Sequence, residues 1–380
     1  MTMDSMLSQT QREFKEYCRK FAQEKVMPVA EEFGETDDIP EQLIEEMAQA
    51  GFFKLLVPEE MGGGGAKATP ICLAREQLAG AYCPADVTLA MQGLGSYPIF
   101  LAGNSDQKEK YLGRIGRGEI LTTYALTEPG AGSDVNGMKS TAVESSDGYV
   151  LNGEKVFISN GHAAHIVVAF VKTPSEENPR GMTCFVLEKG MPGFEVTERL
   201  KVLAPHDLVR LEFDQCRVPR ENMVGRVGEG FKIAMKTLEV FRMSVGAAAL
   251  GIAQKAFDVA LAYSKKRKQF GSALGDFQAT RIKLAEMATE LEASRALVYR
   301  AALAKDSGGM NVAMSASMAK LYATEAAFRI VDQAVQIHGG VGVLQGAVVE
   351  RLYREIRAMR IYEGTSEIQK LIIANTLMKQ

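Results

Sequence analysis

Ile361-Tyr362-Glu363-Gly364-Thr365-Ser366-Glu367-Ile368-Gln369 sets a carboxylate on a glycine turn, directly ahead of an apolar run that ends at Met378. Ser366 and Gln369 stand at capping-box spacing, in which a hydroxyl accepts from a free amide of the first turn and the longer side chain reaches back. A helix is therefore expected to begin here, with Ile368, Leu371, Ile372 and Asn375 on a mostly apolar face and Glu363 just outside its N-terminus. Gly364 supplies the backbone freedom that such a turn needs. Taken alone, the pattern fits either a structural acid favoured by the helix dipole or a reactive carboxylate held at a helix end.

Outward from this turn the helical period persists. Ala234, Leu238, Phe241, Val245, Ala248 and Ile252 form one apolar stripe, and Phe277 to Leu303 and Val312 to Ile337 form two more, with Gly308-Gly309 and Gly339-Gly340 between elements. Long helices on short loops predict a four-helix bundle over residues 229–380. Over residues 121–228 the period changes. Tyr149-Val150-Leu151, His165 to Val171, Met182 to Leu187 and Leu211-Glu212-Phe213 are short β-branched or aromatic runs bounded by Gly-containing turns. They predict an antiparallel β-barrel or sandwich. Residues 1–120 read as helices again, with Phe14, Cys18, Phe21 and Ala22 on one stripe and Leu43, Met47, Ala50 and Phe53 on the next; Pro58 to Gly65 reads as a flexible connector. The expected fold is α+β and multidomain: an N-terminal α-helical domain, a middle β-domain and a C-terminal helical bundle.

Composition bounds the function. A chain of 380 residues is too long for one simple core. A net charge of -3 gives no support for nucleic acid as the main partner. Cys18, Cys72, Cys83, Cys184 and Cys216 are scattered without pairing or CxxC spacing, which fits a reducing compartment. His162 and His165 lack a clustered third ligand, so no metal is expected. The N-terminus carries an acid where a targeting signal carries a basic cluster, and apolar stretches such as Val245 to Ile252 are too short for a bilayer. A cytoplasmic protein without a membrane partner is expected. The α, β, α order has no early strand-GxGxxG-helix unit, which disfavours a nicotinamide cofactor.

Two segments carry further chemistry. Tyr124-Ala125-Leu126-Thr127-Glu128-Pro129-Gly130-Ala131-Gly132-Ser133-Asp134 combines glycines that allow close backbone approach with hydroxyls able to bond a flat heterocycle or a phosphate. Asn152 to Gly161 adds the ring of Phe157 and the hydroxyl of Ser159, a set that suits a flavin. Tight hairpin loops would give the same spacing.

In order, TEPGAGSD (127–134), FISNG (157–161), RKQFG (267–271), QIHGGVG (336–342) and YEGTSEIQ (362–369) resemble the flavin-dependent acyl-CoA dehydrogenases along nearly the whole chain. The resemblance implies FAD as cofactor. Tyr124, Leu126 and Thr127 would approach its ring, with Gly132 in the same loop and Ser133 near the pyrophosphate or the CoA. Phe157 stands where the family usually has a tryptophan, and Ser159 where a hydroxyl bonds near flavin N5. Arg267, Gln269, Phe270, Gln336, Gly339 and Gly340 match residues that reach the FAD of a neighbouring subunit, which implies a homotetramer built as a dimer of dimers. Thr365 and Glu367 match positions near the adenosine phosphates. Glu363 would be the base that takes the α-proton of an acyl-CoA, the β-hydride leaving to the flavin to give a 2-enoyl-CoA, with electrons passed on to an electron-transfer flavoprotein. Substrate contacts would come from Ser133, Gly364, Glu239 and Arg242, the last two also fitting a local helix ion pair. Phe241 occupies the alternative base position of some members and cannot accept a proton.

Two departures from the family stand out. The segment Val202-Leu203-Ala204-Pro205-His206-Asp207-Leu208-Val209-Arg210 lacks the usual arginine, serine and threonine and is one residue short. Asp86, where the acyl pocket is usually lined, reads as a helix N-cap or as a partner for a polar acyl group. Rivals on the same scaffold are an acyl-CoA oxidase, an enoyl-thioester reductase and an acyl-carrier-protein dehydrogenase; a flavin-bearing nucleic-acid binder is the rival from another class.

Overall fold

The computed structural model describes residues 6–173 and 181–379, so the first five residues of the N-terminal stretch read above for a targeting signal lie outside the described chain. Helix α1 (Gln9–Phe21), capped by Ser8, runs through a π-turn (Ala22–Val26) into α2 (Met27–Phe33). It is followed by α3 (Glu41–Gln49), α4 (Ala68–Ala81), α5 (Cys83–Ala102) and the short α6 (Ser105–Gln107) and α7 (Gly113–Gly116). Strands β1 (Thr122–Ala125), β2 (Thr141–Ser145), β3 (Gly148–Ser159), β4 (Ile166–Lys172), β5 (Met182–Glu188), β6 (Phe194–Arg199), β7 (Leu208–Pro219) and β8 (Met223–Val224) come next. Then follow α8 (Gly230–Lys266), a hairpin of β9 (Lys268–Gln269) and β10 (Ser272–Ala273), α9 (Gln278–Asp306), α10 (Val312–His338), α11 (Val348–Met359) and α12 (Ser366–Leu377). The change to strand falls between Gly116 and Thr122, and the return to helix at Gly230. Helical ends, a sheet in the middle and long C-terminal helices are the expected fold.

By contacts the chain forms two units: Met1–Glu31, Ala68–Asp86 and Glu239–Gln380 make one, and Glu32–Lys67 with Val87–Leu238 make the other. In the second unit the sheet runs β6-β7-β3-β2-β4-β5-β8, with β1 added on β4. Most neighbours are antiparallel, as expected, but β1 pairs parallel with β4, and β2 meets β4 in parallel at one position. The intervening hairpin of β2 and β3 supplies the long crossover that a parallel pair needs. β4 and β5 are buried along almost their whole length, which explains their unbroken apolar runs. Pro58 to Gly65 is not the flexible connector the glycines suggested. Gly62, Gly63, Gly64 and Gly65 all donate backbone bonds into residues 54–59, so the loop is folded onto itself.

The first unit is helical. α4 and α8 cross backbone to backbone: a Cβ on Gly251 would lie 1.9 Å from the Glu76 carbonyl oxygen, and one on Gly80 would lie 2.9 Å from that of Gly251. α8 is long and apolar enough to span a bilayer, but its apolar stretch from Met243 to Ala260 packs into the core of this unit against α4, α9 and α10. Side chains also join the helices. Asp306, the last residue of α9, accepts from the amides of Ala68 and Thr69 at 2.6 and 2.8 Å and so caps α4.

Asp86 is neither an N-cap nor open to a ligand. It lies inside the first turn of α5, and both its oxygens are taken by Arg75 of α4 (Nε to Oδ1 2.7 Å, Nη2 to Oδ2 2.9 Å). Arg75 Nη1 donates to Ser244 Oγ of α8 at 2.7 Å. The two charges are 2% and 1% exposed, and a carboxylate that far from water needs a cation. Removing one partner leaves the other buried and uncompensated. Asp86→Ala is expected to destabilise the protein by about 3–5 kcal/mol in urea unfolding, and Arg75→Met with Asp86→Leu to recover most of that loss.

Candidate active site

α11 stops at Met359, and the chain turns back through Ile361 and Tyr362, whose amides both donate to the Ala358 carbonyl. Glu363 and Gly364 follow at φ values of +53° and +90°. The left-handed region is ordinary for glycine and strained for glutamate. A Cβ at Gly364 would also come within 2.7 Å of Gln369 Nε2.

Three groups hold this turn. Lys320 of α10, fully buried, donates to the Gly364 carbonyl at 2.7 Å. Gln369 Nε2 donates to the carbonyls of Glu363 (3.1 Å) and Gly364 (2.9 Å). Ser366 Oγ donates to Glu325, which also pairs with Arg360 at 2.8 Å. The capping box expected of Ser366 and Gln369 does not form, and the cap shifts by one residue as a single side-chain bond. Thr365 is the N-cap, accepting from the Ile368 amide at 3.3 Å, because Ser366 and Gln369 are spent on the turn itself.

Glu363 is half-buried as a residue, but its Oε2 is shielded from water and has no hydrogen-bond partner. Burial pushes its carboxyl above the usual range, while the charges of Arg75, Lys320 and Arg242 oppose that and Asp86 adds to it. Burial brings Lys320 down to about 8, with Glu363 as the largest opposing charge. A desolvated carboxylate with a free oxygen and cations nearby has the features of a proton acceptor: burial raises its affinity for a proton and the positive charges keep it ionisable. Arg242 is buried and acts electrostatically on Glu363; Glu239, three residues earlier on α8, is half-buried.

At the other end of this unit, His338 closes α10 and stacks on Tyr263 of α8 with ring centroids 4.2 Å apart. This stack sets Gln336, Gly339 and Gly340, all exposed, beside the end of α8. There the β9–β10 hairpin carries Arg267, Gln269 and Phe270 into solvent. Phe270 and Gly271 form its two-residue loop, both at positive φ, and Phe270 is 96% exposed.

The sheet unit gathers the second set. Val156 N donates to the Thr127 carbonyl at 3.0 Å, and Thr123 Oγ1 donates to the Ser159 carbonyl at 2.5 Å, so the 124–127 and 157–159 segments are tied together. The β3–β7 register slips between Lys155 and Ile158, and at that bulge Phe157 takes a φ of +59° and is 60% exposed as a residue. Tyr124 is tilted on Phe170 at 4.9 Å, Leu126 is buried, and Gly132 and Ser133 are exposed past the turn that Glu128 and Ala131 close. Ser159 Oγ meets His206 Nε2 at 2.8 Å.

Beneath both segments lies a residue pair that spacing does not reveal. Lys155 Nζ donates to Glu128 Oε1 at 2.7 Å and to the Leu126 carbonyl at 3.2 Å, and Glu128 also accepts from the amides of Lys139 and Ser140. A lysine inside the apolar 155–158 run was its only signal. Lys320 gave a similar one, standing alone between Ala316, Ala319 and Ala323 on the buried face of α10.

Family models described as the N-terminal, middle and C-terminal domains of acyl-CoA dehydrogenase match residues 8–119, 123–216 and 228–378. The chain is similar to an acyl-CoA dehydrogenase of Bacillus subtilis, 40% identical over 375 residues that cover 98% of this chain and 99% of that one. It is also similar to the caffeyl-CoA reductase-Etf complex subunit CarC of Acetobacterium woodii, 38% identical over 98% of this chain and 99% of that one. Among solved structures, butyryl-CoA dehydrogenase from Megasphaera elsdenii superimposes with a TM-score of 0.93 at 37% identity, over 98% of this chain and 99% of that one. With three successive domain models and full-length relatives in agreement, the chain belongs to the acyl-CoA dehydrogenase family.

Proposed function

We propose that this protein is an FAD-dependent oxidoreductase that interconverts a short or medium acyl-CoA and its 2-enoyl-CoA, with Glu363 as the catalytic base. The carrying observation is the shielded, unpartnered Oε2 of Glu363 on a strained turn ringed by Arg75, Lys320 and Arg242.

The residues present fit FAD. Phe157 offers an exposed ring on a bulge, with hydroxyls of Thr127 and Ser159 on the adjoining segments. A Cβ at Gly132, Gly339 or Gly340 would meet nothing within 4 Å, so backbone there is open to close approach. The N-terminus of α12, headed by Thr365 and Ser366, suits a phosphate. FAD, when bound, supplies the two-electron acceptor for the β-hydride. Glu363 takes the α-proton: an acyl chain over the turn excludes water, raises the carboxylate's basicity and brings the base toward the acidity of a thioester α-C–H. Lys320 and Gln369 keep the base in place by holding the carbonyls beside it.

The same chemistry runs backwards if Glu363 returns the proton. The similarity to a reductase subunit of an Etf complex supports that direction as a second reading, and an electron-transfer flavoprotein as redox partner in either. The exposed Phe270 hairpin beside Gly339 supports a homotetramer in which that hairpin reaches a neighbouring subunit. Five free cysteines support a cytoplasmic setting.

Glu363→Gln is expected to keep FAD and acyl-CoA binding while anaerobic bleaching of the flavin band by butyryl-CoA slows about 10²–10⁴-fold; undiminished bleaching places the base elsewhere. The active form of Glu363 is ionised, so the rate is lost as pH falls through its raised pKa. Lys320→Met removes a cation that lowers that pKa, and the acidic limb of the kcat/KM profile should move to higher pH. Arg267→Ala should lower the flavin-to-protein ratio and the sedimenting mass together; a variant that keeps both shows the hairpin plays no part in assembly.

A further inference from the structure

Residues 202–210, one of the two departures from the family, are tied into the sheet unit at several points. The His206 amide donates to Asp37 Oδ1 at 3.1 Å. Asp207 follows, buried, its carboxylate accepting from the amides of His162 (3.4 Å) and Ala163 (3.1 Å) and its carbonyl from Asn160 N at 2.7 Å. The backbone of His206 is thus anchored on both sides of the imidazole, whose Nε2 lies 2.8 Å from Ser159 Oγ. Ser159 is fixed in turn through its own carbonyl by Thr123. With both ends of the contact held, the rotation of the Ser159 hydroxyl is the freedom that remains.

We infer that His206 is a positioning residue that sets the direction of the Ser159 hydroxyl and, through it, the balance between oxidised and reduced flavin in the loaded protein. The inference rests on the reading that Ser159 faces the ring nitrogen N5. With a proton on Nε2, the imidazole donates to Ser159 Oγ, and the serine O–H is left to donate to an unprotonated nitrogen. With the proton on Nδ1, Nε2 accepts the serine proton and Oγ is left as acceptor for a protonated nitrogen. The tautomer that the neutral imidazole favours therefore biases the serine toward one of the two flavin states, whereas a lone serine hydroxyl turns freely to suit either. Burial holds His206 down to about 4, with Asp37 opposing, so the ring is neutral at working pH. No bond to carbon or flavin is made or broken by this pair.

The test is a cycle on the FAD-loaded protein without substrate, reading the reduced-to-oxidised flavin ratio at a fixed potential against a reference dye. His206→Phe should change that ratio by about twofold to tenfold, the worth of one hydrogen bond. It should change nothing further in a Ser159→Ala background, and His206→Gln, which keeps a polar group in reach, should restore part of the effect. Should His206→Phe fail to fold, His206→Asn, which stops short of Ser159, carries the same comparison. If Ser159→Ala alone shifts the ratio and the His206 variants do not, the inference is overturned while the flavin reading stands. If Ser159→Ala shifts nothing, the placement of Ser159 against flavin fails first. An equal shift by His206→Phe in both backgrounds overturns the link through Ser159.

Discussion

The constraint on which this structure turns is that a carboxylate must be taken out of water and still be able to ionise. Desolvation by itself pushes the Glu363 carboxyl toward its protonated form. The helical unit answers with positive charge: Arg75, Lys320 and Arg242 all act on Glu363, and each lies on a different helix. Two of the three spend their hydrogen bonds on groups other than its carboxylate. Arg75 is engaged by Asp86 and Ser244, and Lys320 by a backbone carbonyl. The fields of Arg75 and Lys320 reach this carboxylate while their hydrogen bonds go elsewhere, so they oppose its desolvation without saturating it.

Holding the base costs backbone energy. A glutamate in the left-handed region costs on the order of 1–3 kcal/mol and persists only where its surroundings over-determine it. The surroundings here are Lys320, Gln369 and the Ser366–Glu325–Arg360 link, all aimed at a stretch of seven residues. α10 supplies both Lys320 and Glu325, so one helix clamps the turn from two points. The close crossing of α4 and α8 at Gly80 and Gly251 performs a related task, because Arg75 on α4 reaches Ser244 on α8 only where the two backbones come near.

Helix, sheet and helix were legible because amphipathic period survives in the sequence, and the ordered motifs named the family outright. Contacts between distant segments were not legible. The N-cap was read at Ser366 because Ser caps better than Thr by type and stands at capping-box spacing from Gln369; only Glu325, forty-one residues upstream, decides that Ser366 is used elsewhere. Asp86 was read as a cap or a ligand contact because its partner Arg75 lies in an apolar run that gives no hint of pairing. The parallel pairing of β1 with β4 depends on a crossover, which periodicity does not encode. At Ser366 and Asp86 local propensity was sound, and side-chain bonds to a residue elsewhere in the chain overrode it.

Two buried glutamates show why satisfaction separates structure from chemistry. Glu128 and Glu363 both belong to recognisable motifs, and burial raises both carboxyls. At Glu128 the Lys155 charge and the amides of Lys139 and Ser140 outweigh burial and hold the group below the usual range, with both oxygens bonded. Such a carboxylate has no lone pair to spare and little affinity for a proton; it is a rivet between the 124–128 and 155–159 segments. At Glu363 burial outweighs the positive neighbours; Arg75 and Lys320 spend their hydrogen bonds on other acceptors, and Oε2 keeps its lone pairs. An unpaired buried oxygen is unfavourable in the resting fold. In the reaction proposed above, the acyl α-proton is the partner that relieves it, so the defect that the fold tolerates at position 363 becomes a driving force for proton transfer once substrate is bound.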